Sequence, residues 1–123
     1  MLAATDIPDW IFGTTQNREL DFTHLSPEDV AHFYKRSPQS VVQNVTAPTM
    51  LLIGDNDLRV PPHQSYYYMH SLKEQNVPCQ LYKYPGSGHA LLDTEHGVDA
   101  YMNISLWMDK YLKEESEVLN KVD

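Results

Sequence analysis

Asp57 and His89 are the two side chains of this 123-residue chain best placed to move a proton. Asp57 lies in Gly54-Asp55-Asn56-Asp57-Leu58-Arg59-Val60-Pro61, just after the apolar run Thr49-Met50-Leu51-Leu52-Ile53. His89 lies in Tyr84-Pro85-Gly86-Ser87-Gly88-His89-Ala90. A carboxylate that accepts a hydrogen bond from one imidazole nitrogen fixes the ring's tautomer and stabilises the imidazolium, so that the other nitrogen can take a proton from a nucleophile. Position alone leaves Asp55, nearer the strand end, as a rival for the acid. The third partner is missing. None of the serines, at 26, 37, 40, 65, 71, 87, 105 and 116, stands in a G-x-S-x-G elbow. Gly86-Ser87-Gly88 has the wrong spacing and adjoins the histidine itself. Cys79 falls at the start of a strand, away from the edge where the acid and base would sit, and no oxyanion donors are in evidence.

These two loops need elements that bring them together. Met50 to Ile53 are apolar without alternation, which suits a strand buried on both faces of a parallel sheet. Pro61-Pro62 opens a helix running to about Gln75, with an inward stripe of Ser65, Tyr68, Met69 and Leu72. Asn76-Val77-Pro78 ends it, and Cys79–Tyr84 forms a second strand. Residues 49–84 therefore read as a βαβ unit with a right-handed crossover, which sets the Asp57 and His89 loops side by side at the carboxyl edge. Ser26-Pro27-Glu28-Asp29 marks an earlier helix, since the hydroxyl caps, proline suits the first turn and acids favour the positive dipole end. Val30, Phe33 and Tyr34 form its apolar stripe, and it stops before Ser37-Pro38. Val41–Val45 reads as a connector. A last helix is expected from about Val98 to Leu112, burying Val98, Tyr101, Ile104, Met108, Tyr111 and Leu112, and fraying through Glu114, Glu115 and Glu117. In the first 25 residues, Ile7–Phe12 is apolar enough to pack, and Thr5 or Asp6 could cap a short helix. The fold class is α/β: the carboxyl-terminal portion of an α/β-hydrolase fold, with parallel strands, flanking helices and an incomplete sheet. The chain order acid then base is that of the back half of such a triad.

Composition narrows the rest. Nine basic residues against 17 acidic ones give a net charge of −8, which repels phosphate backbones and argues against nucleic acid. No segment reaches the ~18 apolar residues of a membrane span, and no signal-peptide pattern opens the chain. One cysteine excludes an internal disulfide and a multi-cysteine metal site. His24, His32, His63, His70 and His96 read as surface or helix residues. His63 and His70 share a helix face without a third ligand, so neither a metal nor another cofactor is expected. The setting implied is cytoplasmic and reducing.

Beyond the two loops, Val77-Pro78, Leu81, Tyr84-Pro85, His89-Ala90-Leu91 and Asn103-Ile104-Ser105-Leu106-Trp107 resemble the catalytic domain of the prolyl oligopeptidase family. Thr5-Asp6-Ile7-Pro8-Asp9-Trp10 is most similar to its acylaminoacyl-peptidase branch. The 32-residue separation of acid and base agrees with the family's arrangement. The resemblance implies that residues 1–123 are the carboxyl-terminal part of a serine-peptidase α/β-hydrolase domain, with the acid loop, βαβ unit, histidine loop and last helix in 49–112. In such enzymes a β-propeller restricts access, and an N-acylated amino acid is released from a short blocked peptide. Asp57 matches the triad acid and His89 the base. Met1 aligns with an internal stretch of the family, so the chain is expected to be a truncated product, an incomplete gene model or a cut piece, inactive alone. Its expected partners are N-acylated peptides in the complete enzyme, and another copy or the missing part of the domain. The readings kept beside this one are a short isoform that docks on the full-length enzyme, and a piece of another α/β-hydrolase such as a dipeptidyl peptidase or esterase.

Overall fold

In the computed structural model, residues 26–91 and 94–119 are described. The expectations for Ile7–Phe12 and for a cap at Thr5 or Asp6 lie outside them. The first helix, α1, spans Pro27–Arg36. Its start is a capping box: the Asp29 N–H donates to Ser26 Oγ at 3.1 Å and the Ser26 N–H to Asp29 Oδ2 at 3.2 Å. Ser37 ends it in extended geometry ahead of Pro38. Only Phe33 of the expected stripe is buried; Val30 and Tyr34 are half exposed.

Residues 38–44 correct the expected connector. They form a 3-10 helix, Pro38–Asn44, whose first turn is capped by Ser37 Oγ accepting from the Gln39 N–H at 3.2 Å. The Ser-Pro pair that stops α1 thus also starts the next turn, since proline fits a first helical position as well as it breaks a preceding one. Buried Gln39 donates through Nε2 to Ser71 Oγ at 2.7 Å, which ties this turn to the following helix.

Strands β1 (Thr49–Gly54) and β2 (Cys79–Tyr84) are parallel and in register from Thr49 opposite Cys79 to Gly54 opposite Tyr84. Helix α2, His63–Glu74, crosses between them. Its end is a Schellman turn. Asn76 adopts φ +59°, its N–H donates to Lys73 O at 2.9 Å, and the Val77 N–H reaches Leu72 O at 3.0 Å. The accompanying apolar contact is the core itself: Val42, Tyr68, Leu72 and Val77, with Val45, Leu51 and Cys79 packed against them. Of the expected stripe, Tyr68 and Leu72 are buried, while Ser65 and Met69 are half-buried and Gln64 is buried instead.

Two expectations about burial fail together. Met50, Leu51 and Leu52 of β1 are only half-buried, and full burial is confined to Ile53 and Gly54. The last helix, α3, runs Thr94–Leu119, earlier and longer than expected because neither Gly97 nor the acidic stretch interrupts it. It leaves Val98, Tyr101, Met108 and Leu112 exposed and Ile104 and Tyr111 half-buried. The reason is shared: among the described residues the sheet has two strands, so one face is covered by α2 and the 3-10 helix, and α3 touches the rest only in part.

Candidate acid–base site at the carboxyl edge of the sheet

The end of β1 is built for close approach. A Cβ on Gly54 would fall well inside contact distance of the Ser87 and Gly88 carbonyl oxygens, so the turn after β2 lies directly on this glycine. Backbone bonds then join the two loops. The Asp55 N–H donates to Tyr84 O at 3.1 Å and the Asn56 N–H to Ser87 O at 3.0 Å. Asp55 Oδ1 accepts from the Gly86 N–H, and its Oδ2 lies 3.8 Å from Lys83 Nζ. The rival acid is thereby occupied with holding the second turn.

Asp57 divides its two oxygens. Oδ1 accepts from the Arg59 N–H at 2.9 Å and the Val60 N–H at 2.8 Å, which fixes the side chain against its own backbone. Oδ2 lies 2.8 Å from His89 Nδ1. The carboxylate side chain is 11% exposed and the imidazole 37%. Burial pushes the Asp57 carboxyl up, but the Val60 N–H, the His89 ring and the Arg59 N–H together hold it below the usual carboxylate value. An acid kept ionised this way can orient an imidazole and balance its positive charge. The histidine turn leaves through Leu91 at φ +46°, a conformation that costs a leucine backbone energy and needs its surroundings to hold it.

Of the remaining histidines, His32 packs edge-on to Phe33, His63 Nε2 is 3.0 Å from Gln64 Nε2, and His70 is exposed. Sequence reasoning missed the group behind the histidine turn. Ser87 Oγ lies 2.7 Å from His96 Nδ1, and the His96 ring rests against Tyr84 at 5.4 Å between centroids. Tyr84 Oη donates to Asp99 Oδ2 at 3.0 Å, and Asn103 Nδ2 donates to the same oxygen at 2.7 Å. Burial first, then the hydrogen bond to Asp99 and that carboxylate's charge, pushes the Tyr84 phenol up, against the opposing pull of the Asn103 hydrogen bond. The i, i+4 spacing of Asp99 and Asn103 was the available signal, though nothing in it points to Tyr84.

The sequence profile of the Prolyl oligopeptidase family matches residues 2–115. The chain belongs to this family. It is an α/β-hydrolase-class peptidase family, and the parallel strands with flanking helices are that fold's elements. The chain is 35% identical over 92% of its length to the acylamino-acid-releasing enzyme of Arabidopsis thaliana, 37% over 91% to that of Mus musculus and 36% over 91% to that of Homo sapiens. It spans 15% of the length of each of these relatives. Among the described residues, no helix is long and apolar enough to cross a membrane.

Proposed function

We propose that this chain supplies the acid and base of a serine peptidase of the acylaminoacyl-peptidase kind. The observation that carries the reading is the 2.8 Å contact between Asp57 Oδ2 and His89 Nδ1 at the carboxyl edge of two parallel strands. In the mechanism, a serine hydroxyl attacks the carbonyl carbon of an N-acylated first residue, and His89 accepts the hydroxyl proton through Nε2. The tetrahedral intermediate collapses, the peptide amine leaves with that proton, and water then repeats the sequence to free the acylated amino acid. Asp57 keeps the Nδ1 proton in place and balances the charge of the imidazolium.

In this reading the serine and the oxyanion donors are not contributed by the described residues, and the chain alone does not turn over blocked peptides. The exposed apolar residues of α3, from Val98 to Leu112, and the two-stranded sheet support a seat for the rest of a hydrolase domain. A cytoplasmic setting accords with the single cysteine. The test joins the chain in one polypeptide to a segment of the family's catalytic domain carrying G-x-S-x-G, and follows cleavage of acetyl-alanine p-nitroanilide. Turnover is expected from the joined protein, none from the chain alone, and none after His89→Ala. Turnover by the isolated chain, or undiminished turnover in the variant, overturns the proposal.

A further inference from the structure

We propose that Ser87 and His96 form a strut that positions the His89 imidazole over Asp57, so that His96 is a positioning residue for the base. The proposal rests on the reading of His89 as that base. Ser87 stands two residues before His89, on the turn that carries it, and is only 4% exposed. Its backbone and its side chain face opposite supports. The carbonyl oxygen accepts from the Asn56 N–H at 3.0 Å, which ties the turn to the loop of the acid. The hydroxyl meets His96 Nδ1 at 2.7 Å, which ties the same residue to the first turns of α3.

His96 is itself held. Its ring leans on Tyr84 with 51° between the planes, and the Tyr84 hydroxyl is anchored to Asp99 one helical turn further along α3. The acid loop, the histidine turn and α3 therefore meet at Ser87. The turn has its own backbone bonds, Ser87 N–H to Tyr84 O at 3.3 Å and Leu91 N–H to Gly88 O at 3.4 Å. But φ +46° at Leu91 persists only where the surroundings hold it, so fixed points outside the turn help decide where His89 lies.

A serine 2.7 Å from an imidazole also has the look of a nucleophile and its base. The burial of Ser87 rules against that use, because a substrate carbonyl has no approach to a hydroxyl enclosed between α3 and the end of β2. The bond is structural, and its service is to the neighbouring histidine.

The experiment reads the His89 Nδ1 proton by NMR in the full chain, the resonance being assigned by its loss in His89→Gln. His96→Phe keeps a ring against Tyr84 and removes the hydrogen bond; His96→Asn sets an amide where Nδ1 was and retains it. At matched helical circular dichroism, His96→Phe and Ser87→Ala are expected to speed exchange of this proton with solvent about 2- to 10-fold, the range that loss of one buried hydrogen bond gives. His96→Asn and Ser87→Thr restore the slow rate. Unchanged exchange in His96→Phe overturns the strut, as does equally fast exchange in His96→Asn, which would make the effect one of packing. If Ser87→Ala unfolds the chain, the two His96 variants decide. Asp57→Asn separates the layers: it is expected to shift or abolish the resonance whatever His96 does, and a resonance that ignores Asp57→Asn sinks the acid–base pair as well.

Discussion

The clearest contrast in the molecule lies between the carboxyl edge of the sheet and the outer surface of α3. At the edge, residues 54–60 and 84–89 are joined by backbone bonds, by Asp55 on the Gly86 N–H and by Asp57 on His89. On α3, Tyr101 is 76% exposed and Leu106 66%. The edge joins its two loops through polar contacts within the chain, whereas the helix leaves much of its apolar surface uncovered. Polar geometry at a loop is satisfied locally because a buried donor or acceptor without a partner costs too much to leave open. Apolar surface has no such local remedy and needs a second large surface to cover it.

This contrast can be broken first at its functional end. In the polypeptide joined to a nucleophile, Asp57→Asn is expected to lower turnover about ten-thousand-fold, since the imidazole loses its anionic partner while the geometry survives. A loss under tenfold in a steady-state assay would mean that the stitched edge is architecture alone. Next in size is Leu72→Ala, at a fully buried core position, with an expected loss of about 3 kcal/mol in urea unfolding. Gly54→Ala follows at roughly 2 kcal/mol, because the new methyl must push the Ser87 and Gly88 carbonyls away. It is also expected to disturb the His89 ring resonances, a marker that Leu72→Ala need not move.

A finer test uses pH. The folded Asp57 carboxyl titrates below its ordinary value, so folding favours the ionised form. Its contribution is fully present above the ordinary carboxylate value and is lost as pH falls through the lowered one. The stability gap between the native chain and Asp57→Asn is therefore expected to narrow on acidification below about pH 4 in denaturation series. A gap that widens on acidification contradicts this. The smallest effect belongs to the bare side: Tyr101→Lys is expected to change stability by less than about 0.5 kcal/mol, since that side chain is largely in water already. Its consequence should appear in size-exclusion chromatography, as reduced association with the joined catalytic segment or with itself.

The elements were legible where a local signal exists. Ser26-Pro27 with Asp29 announces the start of α1, and Pro38 announces its end. The apolar run at 49–53 and the punctuated helix after Pro61-Pro62 give the βαβ unit. The 3-10 helix at 38–44 is hidden from a local reading because Ser37-Pro38 is a stop signal for α1, although the same pair also begins this turn. The α3 periodicity gave the helix but not its burial. Hydrophobic spacing says which face would be covered and is silent on whether the covering surface is present.

The sequence by itself determined the chain order of Asp57 and His89, the residue types at both loops and the strand–helix–strand unit between them, because caps, prolines and apolar runs act over a few neighbours. Only the tertiary structure decided that Asp57 rather than Asp55 meets the imidazole, since Asp55 is taken by the Gly86 N–H and the choice depends on how closely one turn rests on Gly54. It alone set His96 against Ser87, nine residues apart along the chain but joined where α3 turns back over the sheet edge. Contacts of that kind depend on where whole elements dock, and no short stretch of sequence encodes a docking distance.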